Sequence, residues 1–194
     1  MPRKPLAVLL LVVGVAMVAA VLALRQPFPS DRTPEGAYVR IAQSVADERI
    51  RDAFPYLETE AQWACFTIRE LRAKAVVRVK ASYPEAERAP LVAAYEAEAT
   101  AADGPDVFVL FARRRGWVTR LRRDLSGVVA TQIEGERATV VTSRGTRYPF
   151  RRRENAIWGL TLFTADLAAE SQRAARDLAV VNASADDYDR AKLR

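Results

Sequence analysis

Leu6 to Leu24 is an unbroken apolar run, LAVLLLVVGVAMVAAVLAL, preceded by Arg3 and Lys4. A helix rises about 1.5 Å per residue, so this run reaches roughly 28 Å, close to the hydrocarbon thickness of a bilayer. It is apolar on every face, unlike a helix that buries one stripe against a globular core. The run reads as a single-span membrane anchor. Its length exceeds the apolar core of roughly 7–15 residues usual in a cleaved signal peptide. Cleavage after Val21-Leu22-Ala23 is the alternative. Residues 1–5 are expected as a cytoplasmic tail, residues 25–32 as a linker broken by Pro27 and Pro29, and everything beyond as an external domain. A long domain crosses largely regardless of its own charge. In a bacterium that places the chain in the inner membrane with its C-terminal domain in the periplasm.

The chemistry available to that domain is narrow. The chain has no histidine and one cysteine, Cys65. A lone thiol makes no internal disulfide, so the fold must rest on its core. Cys65 sits among Trp63, Phe66 and Ile68, the setting of a small buried residue rather than of a nucleophile. There is no phosphate-binding glycine loop and no metal-ligand spacing, and no cofactor is expected. The formal charge is +6, two of which belong to Arg3 and Lys4. The basic residues are uneven. Arg113, Arg114, Arg115, Arg120, Arg122 and Arg123 crowd one stretch, and Arg151, Arg152 and Arg153 form a second knot. Guanidinium suits phosphate and carboxylate, so the first cluster is a candidate patch for an anionic partner. The competing reading is a solvated face paired with helix carboxylates. No motif accompanies the charge that would point to nucleic acid.

Periodicity gives the elements. Thr33-Pro34-Glu35 starts a helix whose apolar face is Ala37, Tyr38, Ile41, Ala42 and Val45. A short helix over Ile50–Leu57 follows. Thr59 and Gln62 fit a capping box opening a long helix to about Lys80, with Trp63, Phe66, Leu71, Ala75 and Val79 as its apolar residues. Ser82 repeats the capping pattern for a helix to about Thr100, in which Pro90 predicts a kink or late start. After Asp103-Gly104-Pro105, Val107–Ala112 is helical and leads to Trp117. From Gly127 the period becomes two. Val128–Ile133, Arg137–Thr142, Thr146–Arg151 and Ala156–Leu162 predict four successive antiparallel strands, with Pro149 at an edge-like or bulged position. Thr164 is expected to cap a final long helix. On it Leu167, Ala174, Leu178, Val181, Ala185 and Tyr188 make a stripe, read either as a partner-binding seam or as a face lying on the domain. Trp63, Trp117 and Trp158 are expected in the core.

Helices followed by a consecutive antiparallel sheet make an α+β fold. The opening Thr33–Tyr38 helix, the segment Asp52-Ala53-Phe54-Pro55-Tyr56-Leu57 and the hairpin Glu134–Val140 running on to Ile157-Trp158-Gly159-Leu160 together resemble the NTF2-like (cystatin-like) superfamily. The resemblance covers residues 33–163, with residues 164–194 a C-terminal helix added to it. That superfamily includes isomerases, dehydratases, ligand binders and scaffolds, so the likeness implies a fold rather than an activity. A ketosteroid-isomerase-like site would need a carboxylate and a tyrosine, for which Tyr38, Tyr56, Tyr148, Asp52 and Asp124 are candidates by type. No constellation singles out any of them. The expectation is a non-enzymatic, membrane-anchored envelope protein that binds envelope partners or its own copies as a scaffold or accessory subunit. The alternatives are a domain holding a small apolar ligand between sheet and helices, and an enzyme of the ketosteroid-isomerase kind.

Overall fold

The computed structural model describes residues 29–193. The segments expected as a cytoplasmic tail, a membrane anchor over Leu6–Leu24 and the first part of a linker lie outside the described residues. Among the described residues, no helix is long and apolar enough to cross a membrane.

Helix α1 (Pro34–Ala46) starts as its sequence requires: the Thr33 hydroxyl accepts the Gly36 N–H at 3.1 Å, and Pro34 fills the first position. A 3-10 helix over Ile50–Tyr56 turns Ile50, Ala53 and Phe54 inward. Then come α2 (Thr59–Ser82), α3 (Glu85–Ala99), α4 (Gly104–Arg114) and α5 (Trp117–Asp124). Strands β1 (Val128–Glu134), β2 (Arg137–Thr142), β3 (Arg147–Arg152) and β4 (Trp158–Leu160) follow, and α6 (Thr164–Lys192) closes the chain. The sheet order is β1-β2-β3-β4, antiparallel throughout, so the fold is α+β with a long C-terminal helix.

The main core lies between this sheet and the helices. Period two puts Ala138 and Val140 of β2 and Tyr148 and Phe150 of β3 on the inner face, where they meet Tyr38, Ile41, Phe108, Phe111 and Trp117. Trp117 stacks on Phe163 with ring centroids 4.4 Å apart. Large aromatics therefore fill the space between the layers. Gly159 in β4 is fixed by a close approach: a Cβ there would lie 2.7–2.8 Å from the Glu58 and Leu57 backbone. Pro149 is tolerated because of where β4 stops. Its carbonyl accepts the Thr161 N–H at 3.0 Å, on the β4 side, so its missing donor also faces that side, just past the end of β4.

A second, smaller core extends the molecule. The C-terminal halves of α2 and α6 run parallel, with α3 across them, around Ala75, Val79, Tyr83, Val181 and Ala185. Ion pairs keep the register: Arg72 to Asp177 at 2.6 Å and Arg78 to Asp186 at 2.5 Å. The Tyr83 hydroxyl donates to the Val181 carbonyl at 3.1 Å. Small residues (Ala61, Ala64 and Ala75 on α2, Ala174 and Ala185 on α6) are buried at or near zero exposure.

Several local expectations give way. No capping box forms at α2. The Gln62 amide instead donates to the Leu57 carbonyl at 2.9 Å, and the Thr59 hydroxyl accepts from Arg153. Ser82 belongs to the end of α2, and its hydroxyl donates to Asp189 rather than capping α3. Thr164 is the first residue of α6 and donates its hydroxyl to Glu58. Helix α3 begins at Glu85 and runs through Pro90, which is exposed, as is Ala86, so the carbonyl freed by the missing N–H lies on the solvent side. Trp63 is 66% exposed rather than in the core, and Phe66 is also exposed, because the face α2 buries is Ala61, Ala64, Cys65, Ile68 and Arg72.

Two outcomes follow from this packing. Replacing Val181 by Asp places a carboxylate in the second core and should lower stability by at least about 2 kcal/mol, read as a reduced denaturation midpoint with loss of helical signal. Burial also pushes the Cys65 thiol from an ordinary 9.0 up to about 12, and burial with the nearby Tyr38 and Asp124 pushes the Tyr148 hydroxyl from 10.0 up to about 12. The folded state thus holds both protons more tightly than the unfolded chain. Their contribution is whole below pH 9.0 and is lost as pH rises toward about 12. Urea midpoints measured across that range should fall, and the Cys65→Ala variant should fall less steeply over its first pH unit.

Candidate functional site

A depression on the described surface lies between the start of α2 and the β3–β4 turn. It has a volume of about 710 Å³ and is lined by Glu58, Thr59, Glu60, Trp63 and residues Arg151 to Asn155. Two local causes shape it. The short β4 lets the chain turn at Glu154-Asn155, and Gly159 lets the Glu58 backbone press against the sheet. Helix α2 then rises from Thr59 with Trp63 one turn along, on the side away from its buried small-residue face.

The polar groups of the groove divide into fixed and available ones. Glu58 is buried and fully engaged: Oε1 accepts from Arg151 Nη1 at 2.9 Å and Oε2 from the Thr164 hydroxyl at 2.8 Å. Arg153 has a different environment. Its Nε donates to Thr59 Oγ1 at 3.1 Å and its Nη1 to the Pro55 carbonyl at 2.7 Å, both uncharged acceptors. Burial lowers the pKa of this guanidinium, as expected for a cation drawn out of water toward neutral partners. Arg152 is exposed, as are Glu60 and Glu154. The groove thus offers an exposed indole face beside guanidinium donors, flanked by two exposed carboxylates. Indole and guanidinium are the groups most enriched at the energetic centres of protein interfaces. The arrangement suits recognition of a polypeptide surface. Its one buried carboxylate, Glu58, is already satisfied by Arg151 and Thr164.

Four of the six arginines expected as one patch are engaged by carboxylates of their own chain. Arg114 pairs with the buried Glu98 at 2.7 Å. Arg115 reaches Asp166 at 3.5 Å, also pairs with Glu170, and lies over the rings of Phe111 and Trp117. Arg122 meets Glu48 at 3.2 Å and Arg123 meets Asp124 at 3.0 Å. Arg113 and Arg120 are exposed. Half of the cluster, Arg114, Arg115 and Arg122, thus ties α4 and α5 to their surroundings. The expected partner stripe is likewise occupied by its own chain. Leu167 enters the main core, and Ala174, Val181 and Ala185 are buried. Leu178 and Tyr188 pack at the edge of the second core, with the Tyr188 hydroxyl donating to Glu87 at 2.6 Å.

Of the acid and tyrosine candidates, three converge. The Tyr38 and Tyr148 rings lie 5.1 Å apart, and Asp124 is near enough to raise the pKa of Tyr148. The Tyr38 hydroxyl donates to the Ser126 carbonyl at 2.8 Å, while the Tyr148 hydroxyl is buried with no hydrogen-bond partner. These rings are part of the filled core and line none of the grooves described here. Asp52 and Tyr56 sit apart, on a shallow hollow with Arg40 and Arg49.

The Trp63 groove is half visible in the sequence. The Arg151–Arg153 knot stands out there, but the bulk of Trp63 points to the core and so hides its place on the surface. The usable signal is the spacing of Ala61, Ala64, Cys65 and Ile68, which defines a buried face that excludes it. Among the described residues there is no cluster of three or more His, Cys, Asp or Glu side chains placed to hold a metal ion. Comparison with protein-family models, with curated proteins and with solved structures finds no match to this chain.

Proposed function

We propose that this chain is a bacterial inner-membrane protein with a single N-terminal span, whose periplasmic domain works by binding other envelope proteins. In this reading residues 33–163 form an NTF2-like unit, supported by helices that precede a four-stranded meander in consecutive order. The anchor is supported by the apolar run Leu6–Leu24, which ends five residues before the described domain begins at Pro29. The observation that carries a binding role is Trp63, two-thirds exposed beside Arg151–Arg153 in a domain whose interior is filled by its own aromatics. Tryptophan and arginine are the side chains that most often carry the binding energy of a protein interface.

Two measurements test this reading. The full-length protein should stay with membranes through alkaline carbonate extraction. Release at a mass lacking the first two dozen residues would establish a cleaved signal instead. In-cell crosslinking of the full-length protein should recover a reproducible set of envelope proteins. Trp63→Ala should reduce that recovery several-fold while leaving the denaturation midpoint within about 0.5 kcal/mol of the parent, as for other exposed substitutions. Unchanged recovery with the Trp63→Ala variant would remove the groove from the binding surface.

A further inference from the structure

The two edges of the sheet are treated differently by the chain. The β4 edge is covered: the Trp158 N–H donates to the Asp31 carbonyl at 3.4 Å, the Glu58 N–H donates to the Leu160 carbonyl at 3.1 Å, and Leu57 bridges to Leu160. The β1 edge is open. Among the described residues β1 pairs only with β2, so every second backbone N–H and C=O of Val128–Glu134 faces outward. Proteins ordinarily blunt such an edge with lysine, proline or inward-pointing charge. Strand β1 carries none of these. It has one bulge, at Val129, and presents Val129 at 63% and Ile133 at 57% exposure.

The ends of this edge are opposite in charge. At one end the tight Glu134-Gly135-Glu136 turn carries two carboxylates, with no ion-pair partner for either among those described and with Arg137 behind them on β2. At the other end, beside Ser126 and Gly127, stands the exposed Arg144. Its backbone N–H donates to Ser126 Oγ, its guanidinium donates to the Arg123 carbonyl, and the Arg123–Asp124 pair lies next to it.

We infer that β1 is the contact through which two copies of this chain associate, as an antiparallel strand pair about a two-fold axis at Thr131. The geometry selects that partner and that direction. With Thr131 on the axis, Val129 of each copy faces Ile133 of the other, so the exposed apolar residues cover one another. The Glu134–Glu136 turn of each copy comes to the Ser126–Val128 end of the other, beside Arg144. A two-fold contact uses each complementarity twice, whereas a parallel pair would bring like ends together. Outward N–H and C=O groups on both strands then pair. One strand pair is a small interface, so the dimer forms and dissociates with concentration.

The test uses full-length chains in whichever fraction holds them, membrane or soluble, so it stands apart from the anchor reading. Val129→Cys and Ile133→Cys variants are made singly, tagged differently and co-expressed, with the native Cys65 left in place because it is buried. Directly opposed residues in an antiparallel pair have Cα atoms about 4.5–5.5 Å apart, within disulfide reach, while Val129 of one copy lies about four residues, roughly 13 Å, from Val129 of the other. Mild oxidation should therefore yield a disulfide dimer of the mixed pair and little from either variant alone. Arg144→Glu should cut the mixed-pair yield several-fold, and Arg144→Glu combined with Glu136→Arg should restore it. No mixed-pair dimer, or equal yields from the single variants, would overturn the proposed contact. A lack of response to the Arg144 change would overturn its ionic ends. Both β1 sites are exposed, so folding of the variants is checked by an unchanged denaturation midpoint.

Discussion

Glu58 is the joint on which the two parts of the molecule depend. Its side chain takes a hydrogen bond from Arg151 on β3 and another from Thr164 at the first turn of α6, while its own N–H donates to the Leu160 carbonyl of β4. The sheet, the start of α2 and the start of α6 thus meet at one buried residue. A carboxylate out of water is tolerated only when both oxygens are engaged, and here they are. Starting side by side, α2 and α6 run parallel and remain in contact beyond the main core, where Arg72–Asp177 and Arg78–Asp186 hold the same alignment. The second core of Val79, Tyr83, Val181 and Ala185 is a consequence of that shared origin.

The sequence is readable where a local rule has no competitor. Thr33-Pro34-Glu35 starts α1 because the Thr33 hydroxyl, while donating to the nearby Ser30 carbonyl, still accepts the Gly36 N–H, and period two over Arg137–Thr142 gives β2 its buried face. It misleads where tertiary partners outbid local ones. Thr59, Ser82 and Thr164 all look like caps, yet their hydroxyls serve Arg153, Asp189 and Glu58, residues 94, 107 and 106 positions away. No local pattern encodes such distant demands. The burial of α2 is hard to read for a different reason. Two long helices approach closely through alanines, so small residues mark the seam, and Trp63 and Phe66 are displaced outward.

Charge shows the same division. An arginine-rich stretch promises a single anionic site, but a guanidinium will bond any carboxylate within reach. In a chain with 24 acidic residues the nearest ones are its own. Arg114, Arg115, Arg122 and Arg123 are held that way, and the exposed pairs of Arg122 and Arg123 are energetically modest. A guanidinium whose donors rest on neutral acceptors keeps an unneutralised charge. Arg153 is one, held by Thr59 and the Pro55 carbonyl, and in the sequence it stands out only as part of a triplet.

Phe108, Trp117, Phe150 and Phe163 pack between sheet and helices as part of the main core, so a ligand entering there would have to displace them. Two places where the described surface departs from a solvated one are the Trp63 groove and the open β1 edge. They lie at opposite margins of the sheet, the groove beside the covered β4 edge and the free strand at the other. A copy paired through β1 leaves both Trp63 grooves open, so self-association and partner binding do not compete for the same residues. In the proposed two-copy assembly, that separation would present two equivalent grooves, one on each copy.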